Sequence, residues 1–177
     1  MALMQPNKTF VIDKYQKMLL AHATLMNRYN FEPVNTTQRI YTEFEIMQNS
    51  QKFKNSNVLL LGNNTFPIFM SSHGRYVERT CDKFNLRHHL RFDYKYLINP
   101  GSIGRPMDGH RLNIQRKMPF TYAVVTIDDS RKEQNDDKLL TKEVSVVYYR
   151  VHYDPSEHLE RMIKYKFPEN FIREFTG

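Results

Sequence analysis

The stretch Tyr96-Leu97-Ile98-Asn99-Pro100-Gly101-Ser102-Ile103-Gly104-Arg105-Pro106-Met107-Asp108-Gly109 constrains this chain more than any other. An apolar run passes straight into a long turn, with no room for a helix or a second strand. Its glycines accept positive φ, its prolines fix φ at about −65° and lack an N–H, and its serine and aspartate can bond nearby amides. The stretch therefore reads as one strand running into a rigid loop, of the kind that often borders active sites.

With 177 residues, 40% of them hydrophobic, the chain can bury one core, and its length favours a single domain over residues 1–177. Lys and Arg outnumber Asp and Glu by 26 to 19, a net charge of +7 that fits a negatively charged partner. A plain solvated basic surface fits equally well, because the charges are spread along the chain and form no basic arm. The single cysteine, Cys81, excludes an internal disulfide and a cysteine-based zinc cage, which points to an intracellular protein, cytoplasmic or organellar. No apolar run approaches the roughly 20 residues that span a bilayer, and Met1-Ala2-Leu3-Met4-Gln5-Pro6 lacks the layout of a signal peptide. A soluble protein without membrane contact is the expectation.

Lys17-Met18-Leu19-Leu20-Ala21-His22 predicts a buried strand that delivers His22 to its C-terminal edge. In Asn35-Thr36-Thr37-Gln38 a capping residue at 35 is followed by Gln three positions on. Ile40, Tyr41, Phe44 and Met47 then recur at helical spacing, so a helix runs to about Gln51. Val58–Leu61 and Pro67–Met70 read as strands separated by Gly62-Asn63-Asn64-Thr65, with a turn at Ser72-His73-Gly74. The β-rich runs 120–127 and 143–151 flank a polar link and form a hairpin. Asp154-Pro155-Ser156-Glu157 places an N-cap, a first-turn proline and a capping-box glutamate in order, with Leu159, Met162 and Ile163 as the buried stripe. Phe167-Pro168 ends that helix, and Glu169–Phe175 forms a last short one.

Three motifs in sequence order, Leu19-Leu20-Ala21-His22-Ala23, Leu60-Leu61-Gly62-Asn63-Asn64-Thr65-Phe66-Pro67 and Ile98–Gly109, give the chain a wider resemblance. It resembles the C-terminal half of the calcineurin-like metallophosphoesterases, in the branch of small bacterial phosphodiesterases of the YfcE and diadenosine-tetraphosphatase types. There the strands end in a His-Gly metal motif, in Gly-His-Thr-His, and in Asn-Pro-Gly-Ser-Val-Gly-Gln-Pro-Arg-Asp-Gly. The family's close, a strand ending in Tyr-Asp before a helix, is similar to Val151-His152-Tyr153-Asp154 through Phe167-Pro168. The likeness covers residues 17–177 and leaves 1–16 as an N-terminal extension. It implies an α+β fold: a partial metallophosphoesterase-like β-sandwich with flanking helices, lacking the family's N-terminal βαβ half.

The departures bear on activity. The N-terminal motifs Asp-x-His, Gly-Asp-x-x-Asp and Gly-Asn-His-Asp/Glu, which hold half of the family's metal ligands, do not occur here. The two histidines of Gly-His-Thr-His fall on Asn63 and Thr65, whose amide and hydroxyl replace imidazole poorly at a transition metal. His22 alone matches a ligand position, and one imidazole does not hold the two cations that two-metal catalysis requires. The resemblance thus implies a chain without catalytic residues, metal or cofactor of its own.

Each candidate also has a plainer reading. His22 is either a retained ligand or, as we prefer, a strand-end histidine bonded to a neighbouring carbonyl. Asn63, Asn64 and Thr65 form either a polar pocket for phosphate or, preferably, an ordinary turn. The remaining histidines match no zinc spacing, and His88 and His89 would point apart on a strand. Asn99, Gly101, Ser102 and Arg105 form the loop nearest the ancestral site. Arg87, Arg91, Lys95, Arg105, Arg111, Arg116 and Lys117, interleaved with Phe92, Tyr94 and Tyr96, have the mix of cations and stacking surfaces that holds single-stranded nucleic acid. The alternation Arg91-Phe92-Asp93-Tyr94-Lys95-Tyr96 fits a half-buried strand instead, and somewhat better.

The leading expectation is a non-catalytic module, accessory or inhibitory, within a complex. A homo-oligomer or protein partner would cover the surface left by the missing half, where Phe10, Val11 and Ile12 offer a replacement strand. The alternatives are a split phosphodiesterase completed by another chain and a nucleic-acid-binding protein.

Overall fold

The structure is a computed structural model, and it describes residues 8–11, 17–22, 24–25, 34, 36–62, 67–73, 76–79, 84–91, 93–102, 119–128, 143–152 and 154–176. Along the chain these form β1 (Lys8–Val11), β2 (Lys17–Ala21), α1 (Thr37–Asn49), β3 (Val58–Leu61), β4 (Pro67–His73), β5 (Tyr76–Arg79), β6 (Arg87–Leu90), β7 (Lys95–Pro100), β8 (Pro119–Asp128), β9 (Glu143–His152), α2 (Ser156–Lys164) and α3 (Glu169–Thr176). The class is α+β, with two sheets. One has the order β1-β2-β3-β7-β4-β5 and the other β6-β9-β8. None of the described helices is long and apolar enough to cross a membrane.

In the larger sheet β2, β3 and β7 run parallel, Leu19 beside Leu59 and Leu59 beside Leu97. Parallel strands of this kind are covered on both faces, which explains why their sequences are near-continuous apolar runs. Period two sorts the side chains. Leu19, Ala21, Leu59, Leu61 and Leu97 face Ile40, Phe44 and Met47 of α1, with Phe53 and Leu25 closing the cluster. Met18, Val58, Tyr96 and Ile98 face the second sheet, where Leu90, Val144, Val146 and Tyr148 complete a separate cluster. The order of layers is therefore helix, six-stranded sheet, three-stranded sheet. The Tyr148 hydroxyl donates to the Ile68 carbonyl at 2.6 Å and ties the two sheets together within this second cluster.

Several local expectations are corrected. The cap of α1 is Thr36, whose hydroxyl accepts the Arg39 N–H, rather than Asn35. Tyr41 is exposed, while Glu43 takes the buried place on that helix, because positions 40, 43, 44 and 47 share one face at 3.6 residues per turn. The alternation over 91–96 makes a strand only at Lys95 and Tyr96, the first residues of β7. Arg91, Asp93 and Tyr94 lie before β7, in a turn where the Tyr94 N–H reaches the Arg91 carbonyl. Strands β5 and β6 were not anticipated, since neither carries an apolar run. Ile163 is 61% exposed, which leaves Met162 as the buried anchor of α2. The cap position of α2 falls on Pro155, with no side-chain cap bond, rather than on Asp154; Asp154 just before it accepts hydrogen bonds from the N–H and hydroxyl of Ser156, and Glu157 pairs with Arg161 instead of closing a capping box.

A strand does form in the N-terminal segment. β1 pairs antiparallel with β2, Phe10 opposite Met18 and Val11 opposite Lys17, and so covers what would otherwise be an open parallel edge. Ile12 lies outside the described residues. The hairpin of β8 and β9 forms as expected, in unbroken register from Pro119–His152 to Asp128–Glu143.

Candidate functional site at the carboxyl ends of the parallel strands

Because β2, β3 and β7 are parallel, their carboxyl ends meet at one edge, where ligands of parallel sheets commonly bind. That edge presents His22 after β2, Gly62 after β3, and Asn99 to Ser102 at the end of β7. Three segments scattered over 80 residues of sequence are thus brought together by sheet order alone.

Gly62 is closely packed. Its N–H bonds the Ala21 carbonyl at 2.9 Å, and a Cβ on it would lie 3.1 Å from the His22 carbonyl oxygen and 3.7 Å from His22 Nδ1. A side chain here would push against the end of β2. His22 itself is exposed.

Asn99 is fully buried and acts as a clamp. Its Nδ2 donates to the carbonyls of Leu61 (2.8 Å) and Gly62 (3.4 Å), and its Oδ1 accepts the Gly101 N–H at 2.8 Å. The amide therefore fastens the end of β3 to the turn after β7. Gly101 has φ +87°, and a Cβ there would fall 2.0 Å from Thr121 Oγ1 on β8. Only glycine fits, for conformation and for space. Ser102 follows, its carbonyl accepting the Thr121 N–H at 3.2 Å, so the loop leaves one sheet and docks on the first residues of the other.

A second buried polar group supports the edge from the helix layer. Glu43 accepts hydrogen bonds from the Thr24 hydroxyl and, at 2.8 Å, from the Leu25 N–H. Burial pushes its carboxyl pKa up, against the lowering effect of these two donors. The segment following His22 is thereby anchored to α1. The helical pattern of Ile40, Phe44 and Met47 already placed position 43 on the core face, a signal available in the sequence.

Between the sheets, next to this edge, lies a cleft of about 460 Å³. Leu20, Leu60 and Ile98 form one wall and Ala123 and Val125 of β8 the other, with His22, Gly62 and Pro100 at its end. The lining is mainly apolar, so the cleft suits hydrocarbon rather than phosphate. Among the described residues no group of three or more His, Cys, Asp or Glu side chains could hold a metal ion. Among the described residues of this edge a single imidazole accompanies an amide whose donor and acceptor atoms are engaged with backbone, a donor set that does not suit a pair of divalent cations.

Asn63, Thr65, Arg105, Arg111, Arg116 and Lys117 lie outside the described residues, as do Cys81 and Phe92. Of the other basic candidates, Arg91 makes two bonds to Asp93 (3.1 and 3.0 Å) and lies 4.8 Å from the Tyr94 ring centroid. Lys95 points its ammonium at the carbonyls of Ser56 (2.9 Å) and Lys54 (3.2 Å), and burial lowers its pKa. Arg87 is exposed on β6. Lys95 is thus committed to contacts within the chain, whereas Arg87 and Arg91 both face water, Arg91 paired with Asp93 at the surface. His88 and His89 point apart as alternation requires, His88 onto the Phe69 ring and His89 to Glu143.

Comparison of the chain with protein-family models, with curated proteins and with solved structures found no match.

Proposed function

We propose that this chain is a non-catalytic, metallophosphoesterase-like protein that works as a binding or structural module within a complex. The observation that carries this reading is the makeup of the edge where β2, β3 and β7 end. The three motifs that resemble the calcineurin-like family sit on these three neighbouring strands, and the chemistry at their ends, among the described residues, is one histidine, two glycines and a buried asparagine serving as a clamp. Asn63 and Thr65, at the positions of two family histidines, supply no imidazole in either case. A backbone arrangement is retained, and a ligand set is not.

The same point separates this reading from a split phosphodiesterase. A partner bringing the family's N-terminal ligands would still meet Asn63 and Thr65 where two imidazoles are needed.

The test is hydrolysis of bis(p-nitrophenyl) phosphate by the purified chain in excess Mn²⁺ or Ni²⁺, with metal binding followed by calorimetry. We expect neither turnover above buffer nor tight metal binding. Metal-dependent hydrolysis that disappears in His22→Ala would overturn the proposal.

A further inference from the structure

We infer that the turn joining α2 to α3 is a docking site for an anionic lipid surface, where Ile163, Tyr165 and Phe167 enter the interface and Lys164 and Lys166 meet the headgroups. The site uses none of the residues at the carboxyl ends of β2, β3 and β7, and it goes beyond the reading of the chain as a binding module. The expectation of no membrane contact rests on the lack of a spanning run, which a surface anchor does not need.

The turn is built by backbone bonds. The Lys166 N–H donates to the Ile163 carbonyl and the Phe167 N–H to the Met162 carbonyl, both at 3.0 Å, the pair of bonds that closes a helix through a left-handed residue. That residue is Lys166, with φ 53°. Glycine is the usual occupant of such a position, because a side chain raises its conformational energy. Lys164, in the last turn of α2, already supplies the cation that a helix C-terminus favours. A lysine thus stands at 166 where the backbone favours glycine, and a second charge is what it adds.

The same few residues carry exposed apolar surface. Tyr165 is 67% exposed, Ile163 61% and Phe167 50%, whereas the neighbouring Met162 is buried and anchors the helix. Large apolar side chains this exposed stand out from the surface instead of lining a groove, a shape suited to entering a soft interface. Tyrosine, with an apolar ring and a polar tip, fits the depth of lipid headgroups.

Local charge decides the kind of surface. Glu157 is bonded to Arg161 and Glu169 to Arg173, each pair one turn apart on its own helix. Lys164 and Lys166 have no acidic partner among the described residues. From Arg161 to Phe167 the sequence holds three cations and no carboxylate, with Glu160 and Glu169 on either side. A nucleic-acid strand running along both helices would pass those carboxylates. A lipid surface touched by the turn alone meets the lysines first.

The test is co-sedimentation of the 177-residue chain with vesicles of phosphatidylcholine, with and without about 30 mol% phosphatidylserine. Partition should be at least ~tenfold stronger onto the anionic vesicles and should fall as salt is raised. The double variant Ile163→Ser, Tyr165→Ser, at two exposed positions, should weaken it ~tenfold. Lys166→Gly should weaken it ~fivefold without lowering the urea midpoint, a combination that a lysine kept only for the helix would not give. The chain has no tryptophan, so Tyr165→Trp places a single reporter whose emission should shift to shorter wavelength on anionic vesicles. No partition, equal partition onto neutral and anionic vesicles, or an unshifted emission would overturn the inference. So would binding of a single-stranded oligonucleotide, or dimerisation in sedimentation, that the double variant abolishes while vesicles go unbound, since nucleic acid or a second copy would then be the occupant.

Discussion

The carboxylate of Glu43, inside α1, accepts the backbone N–H of Leu25 at 2.8 Å and so fastens the segment after β2 to the helix that covers it. Burial makes ionisation of this group costly, and its pKa rises above the ordinary 4.5. The folded chain therefore holds this proton to higher pH than the unfolded chain does. The stability it lends is complete below the ordinary value and is lost as pH climbs from there through the raised one.

Glu43→Gln keeps an acceptor for Leu25 and places an N–H₂ toward the Thr24 hydroxyl, without the titration. Urea midpoints measured from pH 4 to 8 should show wild type losing stability relative to Glu43→Gln as pH rises through that window. Parallel curves would contradict the assignment. Glu43→Ala leaves the Leu25 N–H buried without its partner and should cost about 1–3 kcal/mol at low pH, a cost that shrinks as pH rises through that window.

Asn99→Ala removes both halves of the clamp, leaving the Leu61 carbonyl and the Gly101 N–H without their side-chain partner. A loss of about 2–3 kcal/mol is expected, read as a lower urea midpoint at unchanged slope. Asn99→Asp keeps the acceptor for Gly101 but turns a carboxylate oxygen toward two carbonyls, and it should be no more stable than Asn99→Ala above pH 6.

Gly101→Ala meets two separate obstacles, a φ of +87° and Thr121 Oγ1 at 2.0 Å from the new Cβ. Its cost should exceed about 2 kcal/mol. Adding Thr121→Ala relieves the contact and leaves the backbone strain, so the double variant should recover part of the loss. Full recovery would show that φ is not the constraint.

Tyr148→Phe deletes the hydroxyl that reaches Ile68 between the sheets and leaves that carbonyl without it. Thermal or urea unfolding should report a loss of about 1–2 kcal/mol with no change of fold by far-ultraviolet circular dichroism.

The strands legible in the sequence were those buried on both faces or paired in a hairpin. Met18–Ala21, Val58–Leu61 and Leu97–Ile98 are apolar throughout because each contributes to two clusters, and 120–127 with 143–151 carry β-branched and aromatic residues. β5 and β6 escaped because neither carries an apolar run, and of Arg87-His88-His89-Leu90 only Leu90 is buried. The first part of 91–96 misled for a related reason: alternation of polar and aromatic residues arises in a turn packed by Arg91 over Tyr94 as well as in the strand that begins at Lys95.

At the candidate site, sequence supplied the residues and tertiary structure supplied their meaning. Asn99, Gly101 and Ser102 were marked as a rigid loop by composition alone, since glycine and proline restrict backbone conformation locally. That Asn99 spends its amide on Leu61 and Gly62, that Gly101 lies against Thr121, and that Ser102 meets the Thr121 N–H on β8 depend on strands far apart in sequence.

By itself the sequence determined the local states of the chain, because propensity, capping and apolar period act within a few residues of one another. Only the tertiary structure decided that Lys95 is half-buried, that Glu43 anchors the His22 segment, and that β8 lies beside an apolar cleft. Sheet order and the unequal width of two packed sheets are sums over contacts between distant segments, and no local pattern carries them.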